Sequence, residues 1–184
     1  MKIYFVSSNE FKIKEAKEIL SKDLIVEDVK IKIDEIQSED AEKIVKDKVL
    51  KAFKAIKRPV FVEHTGLYIE DFGNLPGGLT QIVWDSLQAD KFCDYFGTRK
   101  NTKAEAKTII GYCDGKKTIS FEGSISGNIS NKPIGNRKFQ WDCVFIPEGY
   151  TKTFAELGDT KNEISMRKIA LKKFLVYLEK IKGE

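Results

Sequence analysis

Short apolar runs along the chain predict buried strands. The segment KIYFVSS (2–8) has four apolar residues in a row, and VFVEH (60–64) is also apolar without alternation, as in strands covered on both faces. Residues 24–33 (LIVEDVKIKI) begin as an apolar run and then alternate, as a strand with one solvated face does. The run at 60–64 ends at His64, and the Thr65-Gly66 pair that follows indicates a turn.

Other segments place apolar residues at helical spacing, with lysine and glutamate on the opposite face. Residues 11–20 show this pattern directly after the first strand, and Asn9 is the predicted N-cap. Residues 38–57 show it most clearly, with Ser38 as the predicted cap. Pro59 then limits further helix before the next strand.

The second half of the chain predicts a hairpin and a terminal helix. Asp114-Gly115, in the centre of 108–125, is a typical hairpin turn. Residues 163–181 place apolar side chains along one face of a last helix. The other predicted elements are a Pro-Gly-Gly loop at 74–80, a short helix at 85–97 that ends at Gly97, and a last strand at 142–149. Helices that alternate with strands early, followed by a hairpin, predict an α/β fold with a mixed sheet.

Composition and charge favour one globular domain spanning residues 1–184. The chain is 41% hydrophobic and 33% charged, without a repeat or linker, and its 184 residues suffice for a sizeable core. The net charge of +4 is small and the basic residues alternate with acids, so a nucleic-acid partner is disfavoured. No segment approaches the ~20 apolar residues of a membrane span, which predicts no membrane partner.

Cysteine usage and the N-terminal segment indicate the compartment. The three cysteines are odd in number and widely spaced, and no C-x-x-C motif is present, so the pattern supports neither a disulfide framework nor a zinc site. Free thiols are typical of a reducing cytosol. The first apolar run is too short for a signal peptide. We therefore predict a soluble cytoplasmic protein.

The junction between the first strand and the first helix is a candidate anion site. Ser7, Ser8 and Asn9 lie beside the positive end of the predicted helix, where backbone N–H groups bind anions, and Lys12 is one turn further on. An ordinary capped helix with solvated lysines would give the same pattern. Glu35, before the second helix, can hold a hard divalent cation such as Mg²⁺, or can be a surface charge like most glutamates.

An aromatic segment near the last predicted strand is a candidate base-binding site. Phe139 and Trp141 alternate, which predicts that both rings point to the same face, with Asp142 adjacent. Aromatic faces stack on nucleobases, and a carboxylate accepts hydrogen bonds from a base edge; a pair of core aromatics is the alternative. Lys161 and Arg167 open the terminal helix, where they can donate to carbonyl oxygens or remain solvated.

Together these segments resemble the inosine triphosphate pyrophosphatase family, the non-standard purine nucleoside triphosphate pyrophosphatases. SSNEFK (7–12) resembles the family's T-x-N-x-x-K, and Glu35 matches a glutamate before the second helix. EHTGL with LPGGLT resembles E-D-[ST]-G-L followed by a PG loop, and KNEISMR (161–167) resembles K-N-x-x-S-H-R. The most specific match is FQWDCVFIPEGYTKTFAEL (139–157), similar to F-G-[YW]-D-P-x-F-x-P-x-G-Y-x-x-T-[FY]-A-E. House-cleaning nucleotide pyrophosphatases that share the general fold lack this last run.

The resemblance implies an α/β fold with a long curved mixed sheet flanked by helices, and two lobes around a central nucleotide cleft. It implies hydrolysis of deaminated purine triphosphates (ITP, dITP, XTP) between the α- and β-phosphates by a Mg²⁺-dependent homodimer. By the same resemblance, Glu35 would hold the metal, and Lys12 would act in catalysis as well as in phosphate binding. The implied substrate-binding residues are Ser7, Ser8, Asn9, Lys12, Thr65, Gly66, Phe139, Trp141, Asp142, Lys161 and Arg167.

The chain departs from the family pattern at the catalytic motif, where His64 replaces the aspartate. Three interpretations compete. His64 can be the general base, since histidine is the commonest one. It can be a metal ligand that shifts preference from Mg²⁺ toward ions such as Mn²⁺. Or activity is lost and a nucleotide-binding protein, silent or of altered specificity, remains.

Three further departures bear on base preference. Met166 replaces the histidine before the motif arginine, and methionine has no donor for a hydrogen bond to the base. Gln140 replaces a glycine and Cys143 a proline, which predicts an altered pocket wall. The sequence therefore leaves open which base is preferred, including a standard one.

Overall fold

A computed structural model describes residues 2–20 and 24–182 of the chain. They form a seven-stranded mixed sheet in the order β2-β1-β3-β5-β6-β7, with β4 paired to β3 outside this path. Its strands are β1 (Lys2–Val6), β2 (Ile25–Val29), β3 (Val60–Ile69), β4 (Pro76–Gly77), β5 (Lys103–Cys113), β6 (Thr118–Ile129) and β7 (Phe145–Pro147). The predicted α/β fold with a mixed sheet flanked by helices is confirmed.

The sheet has a parallel part and an antiparallel part that meet at β3. β1 pairs in parallel with β2 and β3, whereas β3, β5, β6 and β7 pair antiparallel in succession. The hairpin predicted around Asp114-Gly115 is confirmed, because β5 and β6 pair along their length and Cys113 lies opposite Thr118. β3 is therefore the strand to which both halves of the sheet are joined.

Helices cover both faces of the sheet. They are α1 (Glu10–Leu20), α2 (Ala41–Ile56), α3 (Thr80–Phe92), α4 (Phe154–Leu157), α5 (Thr160–Ile164) and α6 (Met166–Lys182). Among the described residues, no helix is both long and apolar enough to cross a membrane.

Alternation along β3 sends successive side chains to different helices. Phe61 packs with apolar residues of α1 and α6, including Leu171 and Phe174. Val60 and Val62 belong to a second cluster that includes α2 residues. Because successive strand residues face opposite sides, the odd-numbered residues in the first half of β3 face α1 and α6, and the even-numbered ones face α2. A third apolar cluster joins α3 to the segment around β7.

The first half of the structure corrects two predicted boundaries. Within 24–33 only Ile25–Val29 is a strand, because Lys30–Ile33 has no strand partner. The cap of α2 is Asp40, not Ser38: the Asp40 carboxylate accepts from the backbone N–H groups of Glu42 and Lys43. The Ser38 hydroxyl instead accepts from the backbone N–H of Asp40. Asn9 caps α1 as predicted, accepting from the backbone N–H of Lys12 at 3.1 Å.

The turn predicted at Thr65-Gly66 is absent, since β3 continues to Ile69 and both residues pair with β5. Gly66 is required by packing. A Cβ atom at this position would lie 2.3 Å from the carbonyl oxygen of Gly77 in β4, so only glycine lets the two strands approach. His64 consequently lies inside a strand, with its orientation fixed on both sides.

Other predicted elements are shorter or shifted. The helix predicted at 85–97 begins earlier, as α3, and continues into a π-helical turn at Cys93–Gly97. The last strand, predicted at 142–149, is only Phe145–Pro147, because Gln140–Cys143 forms a 3-10 helix. The terminal helix is divided into α5 and α6, because Ser165 between them has an extended backbone.

Candidate active site

Two cavities share the start of α1 and the segment 139–142 as walls. The strand-end cavity, of about 360 Å³, is lined by Val6, Ser7, Ser8, Asn9, Lys12, Ile31, Lys32, Ile33, Glu35, Lys48, Glu63, Gln81 and Gln140. The aromatic cavity, of about 260 Å³, is lined by Phe11, Lys14, Glu15, Glu18, Asn136, Lys138, Phe139, Asp142, Phe154, Ala155, Gly158, Asp159, Lys161 and Asn162. A groove of about 530 Å³ elsewhere, at Tyr68, Lys103 and Glu148, is lined by none of the predicted site residues.

The strand-end cavity brings together residues that the sequence places far apart. Ser7, Ser8, Asn9 and Lys12, at the end of β1 and the start of α1, lie on the same cavity as Glu35. The Ser7 hydroxyl accepts from the backbone N–H of Asn9 at 3.2 Å, and this bond shapes the short turn into α1. The turn leaves the positive end of the helix facing the cavity, as an anion site requires.

A buried ionic network runs from the strand-end cavity to the aromatic cavity. Its members alternate in charge: Lys12, Glu63, Arg167, Glu15, Lys161 and Asp142. Arg167, which is 0% exposed, donates to both carboxylate oxygens of Glu63, from Nε at 2.8 Å and from a terminal nitrogen at 2.9 Å, and also pairs with Glu15. A buried arginine is tolerated only with such complete pairing.

The network fixes the protonation states of the groups beside the strand-end cavity. Burial alone would raise the pKa of Glu63, but the charges of Arg167 and Lys12 outweigh it and hold that pKa well below its usual range. Burial lowers the pKa of Lys12, and the Glu63 carboxylate, 3.1 Å from the Lys12 ammonium, opposes this shift. Glu63 is therefore an ionised, fully engaged carboxylate.

On the other face of β3, Glu35, Lys48 and His64 form a smaller group, the Glu35 cluster. The Lys48 ammonium lies 2.6 Å from one Glu35 oxygen, and His64 Nδ1 lies 3.4 Å from the other. Burial would raise the pKa of Glu35, but the hydrogen bond from His64 and the charge of Lys48 outweigh it and lower that pKa to about 2. Glu35 thus presents an ionised carboxylate to the cavity near neutral pH.

Contacts of the His64 ring distinguish its two nitrogens. Nε2 lies 2.9 Å from the carbonyl oxygen of Gly78, which can only accept, so Nε2 carries a proton. Gly78 is itself held in place, because its N–H donates to the carbonyl of Glu39 at 2.8 Å. Nδ1 faces Glu35 at 3.4 Å: with a proton it donates to that carboxylate, and without one it carries the lone pair of the ring. Glu63 lies on the opposite face, as strand alternation predicts.

Thr65 and Gly66 are placed beside these groups but not on either cavity. The Thr65 hydroxyl donates to Glu63 at 2.9 Å and lies 2.9 Å from the Thr108 hydroxyl, so it supports the Glu63 carboxylate. Gly66 is buried against β4. The structure therefore gives both residues supporting positions beneath the predicted phosphate site.

The aromatic cavity gathers three of the predicted base-binding residues. The Lys161 ammonium lies 4.2 Å from the Phe139 ring centre and donates to Asp142 at 2.6 Å. Burial raises the pKa of Asp142 to about 6 although Lys161 opposes the shift. The other Asp142 oxygen, Oδ1, is buried without a hydrogen-bond partner among the described residues. An acceptor in that condition favours a ligand that brings a donor.

Trp141 is not part of this cavity, and the prediction that it shares a face with Phe139 is wrong. The two residues lie at the start of a 3-10 helix, not in a strand, so their side chains diverge. Trp141 is 2% exposed and packs edge-to-face on Phe145 in the hydrophobic core. Met166 and Cys143 are also fully buried in that apolar cluster, so Cys143 does not form the pocket wall that the sequence predicted, and Met166 does not line the aromatic cavity.

Sequence reasoning missed several residues that line the cavities, among them Lys48, Glu15, Phe11 and Gln81. Lys48 and Glu15 lie on amphipathic helices, where lysines and glutamates resemble solvated surface charges. Phe11, assigned by its spacing to the apolar stripe of α1, is 49% exposed and contacts Phe139 edge-to-face. Gln81 lies in the first turn of α3. Only Phe11 carries a local signal, since it lies inside the SSNEFK motif.

Comparisons with known proteins confirm the family resemblance. The family model described as the Ham1 family matches residues 3–177. A dITP/XTP pyrophosphatase of Methanopyrus kandleri is 37% identical over 177 residues, which cover 95% of this chain and 94% of the relative. Inosine triphosphate pyrophosphatase 2 of Trypanosoma cruzi is 36% identical over 176 residues, covering 92% of this chain and 88% of the relative.

Solved structures show the same fold. The Ham1 protein of Staphylococcus aureus superposes with a TM-score of 0.81 at 25% identity, covering 97% of this chain and 98% of that one. A HAM1 protein from Coxiella burnetii gives 0.84 at 23% identity, covering 98% of this chain and 99% of that one.

Proposed function

The chain belongs to the Ham1 family, and on that premise we propose that it hydrolyses deaminated purine nucleoside triphosphates to the monophosphate and pyrophosphate. Two full-length relatives carry the names of dITP/XTP and inosine triphosphate pyrophosphatases. The observation that carries the proposal is the pair of cavities on α1. One holds lysines and a helix N-terminus suited to phosphates, and the other holds aromatic rings and donors suited to a purine.

We assign the triphosphate to the strand-end cavity. The Ser7–Asn9 turn would bind phosphate oxygens with backbone N–H groups at the positive end of α1. Lys12 and Lys48 add two cations on the same cavity, and each now pairs with a carboxylate that a phosphate would compete with. In phosphoryl transfer, such positioning and charge stabilisation do most of the catalytic work.

The residues present fit a divalent cation shared with the substrate. Among the described residues no group of three or more His, Cys, Asp or Glu side chains could hold a metal by itself. Mg²⁺ is usually bound by only one or two carboxylates together with substrate phosphates, and Glu35, ionised and facing the cavity, suits this mode. When bound, Mg²⁺ or Mn²⁺ would neutralise charge that develops on the phosphates.

We propose His64 as the general base. Its Nε2–H bond to the Gly78 carbonyl fixes the ring, and Nδ1 remains to accept a proton beside the Glu35 carboxylate, which would stabilise the imidazolium. The two rival interpretations use the same geometry. A metal ligand would also bind through Nδ1, whereas a silent nucleotide-binding protein would keep both cavities and lose turnover.

We assign the purine to the aromatic cavity. The Phe139 ring would stack on the base, and the Lys161 ammonium would donate to a carbonyl oxygen. The unpartnered Asp142 Oδ1 would accept from the N–H group that a deaminated purine carries in its ring. Arg167 is fully engaged with Glu63 and Glu15, so its part is to hold these groups in position.

Pyrophosphate release from a panel of standard and deaminated triphosphates, with Mg²⁺ and with Mn²⁺, tests the proposal. We expect turnover of ITP, dITP or XTP by the wild type, and at least a hundredfold loss of kcat in Lys12→Ala. Full activity of Lys12→Ala would refute the site assignment.

The variant His64→Asp separates the three interpretations of His64. Comparable turnover by both proteins supports a general base at this position. A shift from Mn²⁺ to Mg²⁺ preference in the variant supports a metal ligand. Turnover by the variant alone would show that the wild type only binds nucleotides.

We also propose that the protein is a cytoplasmic homodimer without a nucleic-acid partner, as the family resemblance and the small net charge suggest. Light scattering after size-exclusion chromatography would give the mass, and a monomer at micromolar concentration would refute the dimer.

A further inference from the structure

Gln140 has a backbone conformation that normally requires glycine. Its φ of 36° lies in the left-handed region, where an amino acid with a Cβ atom is strained. It is also the one departure near the aromatic segment that reaches a cavity, since Met166 and Cys143 are buried in the core. A strained residue at a candidate site suggests that its side chain is retained for a use.

Hydrogen bonds fix the orientation of the Gln140 amide. The carboxylate of Asp85 accepts from Gln81 Nε2 at 2.7 Å, so the oxygen of Gln81 faces the other way. That oxygen accepts from Gln140 Nε2. Gln140 Oε1 is consequently the acceptor left over at the end of this series of hydrogen bonds, and no described residue donates to it.

Gln140 lies where the two cavities adjoin. Phe139 lines the aromatic cavity, and the next residue, Gln140, lines the strand-end cavity together with Ser7 and Lys12. In a nucleotide whose base lies in the first cavity and whose phosphates lie in the second, the sugar must cross this junction. Sugar hydroxyl groups are hydrogen-bond donors, and Gln140 Oε1 can only accept.

We infer that Gln140 reads the sugar of the nucleotide by accepting a hydrogen bond from one of its hydroxyl groups. The inference rests on the proposed function, because it takes the occupant of the two cavities to be a nucleotide. The contact is remote from the scissile phosphates, so its loss raises KM and leaves kcat nearly unchanged.

Calorimetric binding of inosine monophosphate and its 2′-deoxy and 3′-deoxy forms, in the presence of a chelator, tests the inference without turnover. We expect the wild type to bind one deoxy form about three- to tenfold more weakly, as for the loss of one neutral hydrogen bond. The form that loses affinity identifies the hydroxyl. In Gln140→Gly the three affinities converge, while the thermal midpoint rises by about 2–4 °C because the strain is relieved.

Lys57→Gly is the matched control. Lys57, the C-cap of α2, has a φ of 54° and lines neither cavity, so glycine there should raise the midpoint and leave the three affinities in their wild-type ratio. Equal affinities in the wild type, or unchanged ratios in Gln140→Gly, would overturn the inference. Pyrophosphate release with such ratios would leave the proposed function standing. Sugar discrimination without pyrophosphate release would support the inference and refute the proposed function, and absence of both binding and pyrophosphate release would overturn both.

Discussion

The two faces of β3 carry the same kinds of charged groups in different conditions. On the α1 and α6 face, Glu63 is 3% exposed and each of its oxygens has a partner, Arg167 among them. On the α2 face, the Glu35 side chain is 32% exposed and pairs with Lys48 and His64. Glu63 thus belongs to the buried ionic network, whereas His64, the next residue of the same strand, belongs to the Glu35 cluster.

The two groups of charges therefore differ in whether their ion pairs can change partners during a reaction. A buried charge pair is strongly destabilised when one partner is removed, so the buried ionic network can change little during a reaction. The Glu35 cluster is partly solvated, so at small cost its lysine can exchange the carboxylate for a phosphate, and its carboxylate can exchange the lysine for a cation. We therefore expect substitution of Arg167, at the buried centre of the network, to affect folding, and substitutions in the cluster to affect turnover.

The largest effect is expected from Arg167→Met. The variant leaves Glu63 and Glu15 buried without their common partner, which should lower the free energy of unfolding by about 3–5 kcal/mol. Urea denaturation followed by circular dichroism measures this loss. Arg137→Ala, which breaks the exposed pair with Asp90, is the control and should leave the denaturation midpoint unchanged. Equal effects of the two variants would abolish the contrast between buried and open charges.

A smaller effect is expected from the pH dependence that Asp142 creates. Because burial raises its pKa to about 6 in the folded protein, the folded state holds this proton more tightly than the unfolded state does. Stability from this group is complete below about pH 4 and is lost as the pH rises to about 6, by on the order of 2–3 kcal/mol.

Asp142→Asn should remove that slope. Denaturation midpoints of the two proteins between pH 4 and pH 7 would then diverge, and parallel curves would contradict the assignment. Glu35 and Glu63, whose pKa values are lowered, act in the opposite sense, since their contribution is lost only as the pH falls below about 4.5.

The smallest effect on stability is expected from Glu35→Gln, at no more than about 1 kcal/mol, because the carboxylate is partly solvated. Its effect on turnover should be at least a hundredfold, since the amide cannot replace an ionised ligand for a cation. Unfolding and pyrophosphate release measured on one preparation test both halves of this prediction. A variant that unfolds easily would place Glu35 with the buried network instead.

Local pattern predicted the elements that depend on local physics. The helical spacing in 38–57 and the Asp114-Gly115 turn each correspond to a confirmed element, because amphipathicity and turn geometry are properties of neighbouring residues. The turn predicted at Gly66 was wrong, because glycine is needed there to let the strand approach the carbonyl of Gly77. Local pattern cannot show this contact. The prediction for Trp141 was wrong for a related reason, because a 3-10 helix replaced the expected alternation.

The site itself was only partly predictable. Motif residues such as Asn9, Lys12 and Glu35 do lie on one cavity, as the family resemblance implies. The partnership that orders the network, however, joins Glu63 to Arg167 across 104 positions and Glu15 to Arg167 across 152. The sequence does not distinguish Lys48 from a solvated lysine, because its contact with Glu35 depends on where α2 packs against the sheet. Such pairings follow from the sheet order, which no single segment encodes.

The placement of Glu63 and His64 on adjacent positions of β3 also bears on how errors in folding are revealed. A slip of β3 by one position against β5 would turn Glu63 toward α2 and His64 toward α1, and would put a Cβ-bearing residue against Gly77. Two charges would lose their partners at once, so a misregistered molecule would be both inactive and unstable. The register of β3 therefore links the stability of the fold to the arrangement of the candidate site.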